Sequence, residues 1–434
     1  DACGCRCHLL GARYVDQVPC AHGRHFALRV PRVAWWRCFR CVYRVHDHFA
    51  WRGALKMHIA RALLLEQRQT RPALDWDFTL DTLPSELTLT RADAGYAFNQ
   101  SGQLTSYAAD VARFDHEIGG STKYGLLLEG ARTNLCLQAR DQTNASWTKS
   151  NCSTAKDQTG IDGAANSACK LTASAANGTC LQTITATGGN KCLSLYIRRV
   201  TGTGGIDITL DGGTTWVPVT ITGAWQRFYT VQGLLNPSAG IRIQTSGDAI
   251  AVDCAQLEHN VVMPSSPMPT TTASVTRGAD AVSATLTSDI YQAPEFTLYT
   301  KFRMPFYAAS SATYCASCLD DASVSNHCRI GLDSSGVRQA FMNSAAATQV
   351  NSGAGSAVAS GAIIKIATRM RANDFWTAFD GLASVRDTSG TLPAFTTLRL
   401  GSRSDGSQNL FGTIMHLKLY KVGLTDQQVQ NLVA

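Results

Sequence analysis

The chain has 434 residues, 44% of them hydrophobic and only 16% charged, with 36 Gly. It is too long for one small module, too apolar for a disordered chain and too sparsely charged for a coiled coil. The net charge of +7 is local, because residues 1–70 hold 12 Lys or Arg against 4 Asp or Glu and leave 27 against 28 for the rest, which excludes a general affinity for anions. No apolar run reaches the roughly 18 residues of a membrane span, so no membrane partner is expected.

Residues 1–70 also hold 6 of the 15 Cys and 6 of the 10 His. Thiolate and imidazole make Cys3, Cys5, Cys7, His8, Cys38, Cys41, His46 and His48 candidate zinc ligands. Their order, CxCxCH and one distant CxxC, assembles no two ligand pairs across a folded loop, so no metal site is expected here. Leu55, Ile59 and Leu63 recur at helical spacing before Pro72, which predicts a short amphipathic helix over 53–69. Arg clustered with Trp35 and Trp36 has the footprint of nucleic-acid binding, but no motif accompanies it and nucleic acid is not an expected partner. The first 30 residues lack the basic, apolar, small order of an export signal. The segment reads as a basic arm or as a stretch upstream of a start at Met57.

From Pro72 the composition turns to Thr, Ser and Gly. Leu87 and Leu89 alternate with Thr, and turn signals at 99–102 and 119–120 predict short strands over 71–134. Arg91, Arg113 and Arg132, beside Asp115 and Glu129, are predicted to clamp this block through charge-assisted hydrogen bonds. Leu83, Pro84, Thr90, Arg91, Ala92, Phe98, Gly102, Arg113, Phe114, Asp115 and the run 125–134 resemble the linker block of bacteriophage tail-fibre, head-spike and related virion proteins. The resemblance implies a virion structural or adhesion protein, assembled in a host cytoplasm, and supplies no catalytic residue.

Residues 135–260 read as strands about ten residues apart with Gly, Asn and Asp turns, the pattern of a sandwich or jelly roll. In TTWVPVTIT, Val217, Val219 and Ile221 share one face, so period two sends Trp216 and Thr220 to the other. Trp216 is then a candidate platform for a sugar ring, with Thr220 on its face and Asp211, Thr214 and Thr215 near in sequence; packing under a loop is the competing reading. Trp147 and Trp225 are read as core or edge plugs. The stretches ASWTKSN, GAWQRFYTV and DCAQLEHN resemble the carbohydrate-binding-type jelly rolls of phage fibres. Cys136, Cys152, Cys169, Cys180, Cys192 and Cys254 are expected as free thiols, given the reducing cytoplasm that the resemblance implies.

Three prolines, Pro264, Pro267 and Pro269, predict an extended, semi-rigid spacer within a Pro/Thr linker over 261–285. Pro269 to Thr272, Val275, Thr276, Arg277, Ala279 and Asp280 resemble the tail that follows such jelly rolls in phage proteins. In 286–434, Phe296, Leu298, Phe302 and Met304 alternate with Tyr299, Lys301 and Arg303, and Ile364, Ile366 and Met370 with Lys365, Arg369 and Arg371, giving strands with one buried face. Asp380 and Gly381 signal a tight hairpin; Thr425 and Gln428 form a capping box for a short final helix. Leu400, Gly401, Gly412, Ile414, Leu417, Leu419, Tyr420 and Leu424 resemble the laminin-G-like, concanavalin A-like lectin sandwich. Trp376, whose parity opposes Phe375, Thr377 and Phe379, is a second candidate glycan contact. Cys315, Cys318, His327 and Cys328 are the better zinc candidate, and Asp320 with Asp321 a calcium candidate. Ordinary core thiols and a solvated turn are the readings preferred, so no cofactor is expected, neither calcium nor zinc.

Sandwich glycosidases need two carboxylates about 5 to 9 Å apart. No strand here carries closely alternating acids, and GxSxG, HExxH and P-loop motifs are absent, so the chain is not expected to be an enzyme. The sequence therefore predicts an all-β protein: two sandwiches, jelly-roll (135–260) and concanavalin A-like (286–434), after a short β connector (71–134) and a basic segment (1–70). The function expected is adhesion to bacterial surface glycans within a homo-oligomeric virion part, beside other virion proteins. A virion subunit without a ligand and a secreted lectin-like module are the alternatives.

Overall fold

The computed structural model describes residues 71–308, 312–384 and 386–434. The expectations for 1–70, namely the Cys/His question, the 53–69 helix and the Met57 start, lie outside the described residues.

The fold is all-β. Two sandwiches account for nearly every strand, and Asp426–Val433 is the one α-helix among the described residues. In the larger sandwich, one sheet runs Leu382–Ala383, Trp376–Phe379, Ile363–Arg371, Glu295–Arg303, Gly412–Tyr420, Lys123–Leu128 and Phe114–His116, and Leu74–Asp77 also pairs with Gly412–Tyr420. The facing sheet runs Thr88–Thr90, Ala281–Thr285, Thr397–Leu400, Tyr314–Asp320, His327–Leu332, Arg338–Ser344 and Ala347–Ala354. Alternation puts Phe296, Leu298, Phe302, Met304, Ile364, Ile366 and Met370 into the core between them, as the sequence predicts. Burial of each such side chain contributes roughly 1.5–3 kcal/mol.

The 71–134 segment is woven into this sandwich. Four of its strands complete the two sheets, and Leu74, Trp76, Phe78, Leu126 and Leu128 lie in the same core. Gly125 makes one of these junctions possible: at φ +95° its bare Cα lies where a Cβ would sit 2.3 Å from the Ile414 carbonyl oxygen.

The smaller sandwich enters and leaves through a two-stranded neck, Arg132–Asn134 antiparallel to Val275–Arg277. One of its sheets runs Gln226–Gly233, Asn190–Thr201, Ala249–His259, Ala168–Ala173 and Cys152–Gln158; the other runs Val217–Val219, Ile206–Thr209, Ser238–Ile243, Gly178–Thr183 and Thr148–Ser150. Leu193, Leu195, Ile197, Ile208, Ile241, Val252 and Trp147 fill the space between them.

Beside the neck lies a buried ion cluster. Asp280 accepts from Arg113 Nη2 at 2.6 Å, from Arg91 Nη1 at 3.0 Å and from the Glu129 backbone N–H at 2.9 Å. Glu129 takes Arg113 at 3.0 Å and Arg277 at 3.4 Å, and both Ser266 donors at 2.6 Å. Burial pushes the Glu129 carboxyl up, but Arg277, Arg113 and Ser266 together hold it down to about 2. Arg91 and Arg113 thus clamp as predicted, Arg113 on Glu129 as expected and both on Asp280 rather than Asp115, whereas Arg132 lies beside Glu258 instead. Asp115 instead accepts the Phe98 N–H, and burial raises its carboxyl to about 6 against that bond.

The 261–285 linker is packed rather than a spacer. Met263, Ser265, Met268 and Thr270 are buried, because Ser265 donates twice to buried Glu258 and Ser266 joins the ion cluster. The Asp380–Gly381 hairpin forms with both residues at positive φ (40° and 84°), and the Thr425–Gln428 capping box is made in both directions.

Candidate functional site

The outer surface of the sheet Asn190–Thr201 belongs to is covered. The hairpin Gly95–Phe98/Leu104–Tyr107 lays Phe98 and Leu104 on Tyr196 and Cys254, with Phe98 edge-on to Tyr196 at 5.9 Å. Farther along, Phe306 of the larger sandwich meets Tyr229 at 5.3 Å, and Arg227 bridges Tyr196 and Phe306. Among the described residues, the outer face of the other sheet of the smaller sandwich is left open, with Trp216 half-buried on it and Pro218 and Thr220 exposed.

Among the described residues Val217–Val219 is the edge strand of that sheet and pairs with Ile206–Thr209 alone. Val217, Val219 and Ile221 pack on the core, so Trp216 and Thr220 take the outer face, as period two predicts. Thr220 is exposed and its hydroxyl makes no hydrogen bond among the described residues. Trp216 is half-buried: the Arg242 guanidinium lies over its ring at 4.5 Å, a cation–π contact. Gly213, at φ +99°, lets the turn pass beneath the indole, since a Cβ there would come 2.6 Å from Trp216 Cζ2.

Arg242 is itself fixed. Its Nε and Nη2 both reach Asp207 Oδ2, at 2.9 and 2.8 Å, and Gln244 donates to the same oxygen at 2.8 Å. Asp207 is therefore a neutralised anchor, and the face combines a flat ring, a planar cation and hydroxyl and amide groups. That is equipment for holding a polar ring by stacking and hydrogen bonds. Asp211 does not serve as a rim group. It ties the 209–215 turn through the Thr215 N–H at 2.8 Å, Thr209 Oγ1 at 2.9 Å and Gln232 at 3.1 Å. Burial raises its carboxyl, and these donors bring it well below the usual range.

Trp376 does not join this face and is not a platform. Its outward parity is as expected, but the final helix lies over it: Trp376 is 7% exposed, among Tyr299, Tyr420, Leu424, Val429 and Val433. Trp147 is buried, with its indole N–H on the Gln138 carbonyl at 3.2 Å, and Trp225 is half-buried under Arg198.

The zinc candidate is split by strand parity. Cys328 points into the core opposite Leu319, Cys315 and Cys318 fall on the other surface across a bulge at 315–317, and the His327 ring stacks on Phe341. Asp320 is buried against Arg399 at 2.8 Å rather than solvated, while Asp321 closes its turn on Ser323 and Asn326. Among the described residues no group of three His, Cys, Asp or Glu is placed to hold a metal, and the nine described Cys are all unpaired.

Sequence reasoning missed Arg242 and Asp207. They carry no motif, and only the register of Ser238–Ile243 against Ile206–Thr209, which sets Arg242 opposite Asp207, brings them to Trp216.

No family model matches the chain, and no curated protein matches it. Among solved structures, the CBM40 module of Ruminococcus gnavus IT-sialidase aligns at 11% identity and a TM-score of 0.28, over 32% of this chain and 83% of that one. The NanB sialidase of Streptococcus pneumoniae aligns at 15% identity and a TM-score of 0.26, over 33% of this chain and only 24% of its own length. Botulinum neurotoxin type C aligns at 12% identity and a TM-score of 0.28, over 36% and 39%. The assignment to all-β sandwiches stands on the strand pairing itself.

Proposed function

We propose that the chain is a glycan-binding adhesion protein whose contact surface is the Trp216 face, and that it acts by binding rather than catalysis. The observation that supports this reading is the sheet face left open, carrying a half-exposed indole braced by Arg242 and Asp207. The setting we propose is a virion fibre, spike or head decoration, as a homo-oligomer alongside other virion proteins. That part rests on the resemblance of 83–134 and 269–280 to phage linker blocks. The test is binding of the purified chain to an array of bacterial surface polysaccharides. Trp216→Ala should weaken binding by about tenfold or more, the equivalent of about 1.4 kcal/mol. Unchanged binding by a folded Trp216→Ala protein would remove the platform, and silence across the array would favour a virion subunit without a ligand. Oligomer mass in solution separates a symmetric virion part from a monomeric secreted lectin module.

A further inference from the structure

We infer that the seam between the two sandwiches is a second binding groove, for a carboxylate-bearing saccharide, with Arg132 as the partner of the carboxylate. Two clefts of about 470 and 550 Å³ open on either side of the neck, and Arg132 lines both. Each is within the roughly 300–1,000 Å³ usual for small-molecule sites.

The geometry at Arg132 is that of a cation held ready but under-used. The three cluster arginines, Arg91, Arg113 and Arg277, have both terminal nitrogens engaged in hydrogen bonds. Arg132 donates only Nη1, to the Ala131 carbonyl at 3.2 Å; its Nη2 has no hydrogen bond among the described residues and its buried Nε has none. Glu258 does not fill that gap. Its oxygens take Ser265 Oγ at 2.6 Å and Ser265 N–H at 3.0 Å, and it lies 3.7 Å from Arg132 Nε. The guanidinium is nevertheless fixed in place, stacked on Phe411 at 4.0 Å. A planar cation whose Nη2 is spare and whose plane is fixed suits a carboxylate, which accepts a charge-assisted N–H bond.

The walls point to a sugar as the bearer of that carboxylate. Among the described residues no Asp or Glu lines either cleft. Arg132 is the only Lys or Arg among the described lining residues, and burial, with Lys191 nearby, lowers the His259 pKa. Thr185 and Thr187 offer hydroxyls on one side, and Asn190, Asn260 and Asn409 offer amides on the other. A hydroxyl-rich ring can pair with these groups, whereas an apolar ligand would leave them unsatisfied.

This inference is independent of the Trp216 face, and calorimetric titration of the full chain tests it. The probes are oligosaccharides ending in glucuronate, galacturonate or N-acetylneuraminate, each beside its methyl ester. At least one acid should bind, with its ester weaker by about tenfold or more. Arg132→Gln should lose that preference. Thr185→Trp with Asn190→Trp, exposed changes that each crowd one of the two clefts, should abolish binding in a protein that still folds, and Trp216→Ala should leave it unchanged. Absence of binding by all three acids, equal binding of acid and ester, or full binding by the double variant would each overturn the inference. Loss with Trp216→Ala but not with the double variant would place the sugar on the other face and overturn it as well.

Discussion

Replacing Asp280 with Asn keeps the shape of the buried cluster and removes one of its two carboxylate charges. Asp280 accepts from Arg113 at 2.6 Å, from the Glu129 N–H at 2.9 Å and from Arg91 at 3.0 Å, with Arg277 at 3.7 Å, and its side chain is fully buried. In the variant three guanidinium groups share Glu129 alone, and the new amide turns an N–H toward one of them. One charge pair at about 4 Å contributes about 4 kcal/mol at an effective dielectric of about 20. Allowing for the desolvation that Asn no longer suffers, the net loss should be about 3–5 kcal/mol, the range for breaking one side of a buried ion pair. The assay is urea unfolding together with amide exchange, read at the N–H of Asp280 on the Glu129 carbonyl and the N–H of Glu129 on Asp280. Asp93→Asn is the control, because Asp93 is exposed and its carboxylate accepts, among the described residues, the Gly278 N–H alone, at 3.0 Å, its bond from Arg91 Nε being made by the backbone carbonyl that the change leaves in place; it should change stability by no more than about 0.5 kcal/mol. A loss below about 1 kcal/mol in Asp280→Asn, or unchanged exchange at both amides, would refute the view that this cluster holds the neck to the larger sandwich.

The pH dependence follows from two carboxyls shifted in opposite directions. Glu129 is held down to about 2 from 4.5, so its contribution is present above pH 4.5 and lost as pH falls toward 2; at neutral pH it is on the order of 3 kcal/mol. Asp115 is raised to about 6 from 3.8, so its contribution is fully present below pH 3.8 and lost as pH rises through 6. Glu129→Gln should flatten the acid limb of a stability-versus-pH curve, and an unaltered limb would contradict the assignment. Trp376→Ala should cost about 3–5 kcal/mol by opening a cavity under the final helix, and should speed amide exchange across Asp426–Val433; stability within about 1 kcal/mol of wild type would show that the helix does not depend on this ring.

What the sequence makes legible is local. The Asp380–Gly381 turn needs two residues tolerant of positive φ, and the Thr425–Gln428 box needs two side chains three residues apart; each is written in a few adjacent positions. The alternation around Phe296 and Val217 likewise reports which face is buried. It cannot report what lies on the opposite face. Trp376 and Trp216 have the same outward parity, yet a helix some fifty residues downstream covers one and leaves the other half-open. The arginine clamp is legible in kind and in one partner, Glu129, which Arg113 meets, but not in Asp280, which lies 189 residues from Arg91 and reaches it only through the tertiary fold. The four-residue zinc candidate shows the reverse case: near neighbours in sequence, sent to opposite surfaces by strand parity and one bulge.

The neck has a mechanical consequence. Arg132 faces Arg277 and Asn134 faces Val275, so the smaller sandwich hangs from two chain positions about 5 Å apart. A second closure encloses this one: Leu74 lies against Leu419 and Asp77 against His416. Tension applied at residues 73 and 420 pulls first on the outer pair, in the direction that parts its hydrogen bonds one after another. The smaller sandwich bears none of that load until the outer sheet has opened and the Asp280 cluster has given way. A pull on the Trp216 face would load the molecule differently, through the neck with its ion cluster and through the packing of Phe98 on Tyr196 and of Phe306 on Tyr229.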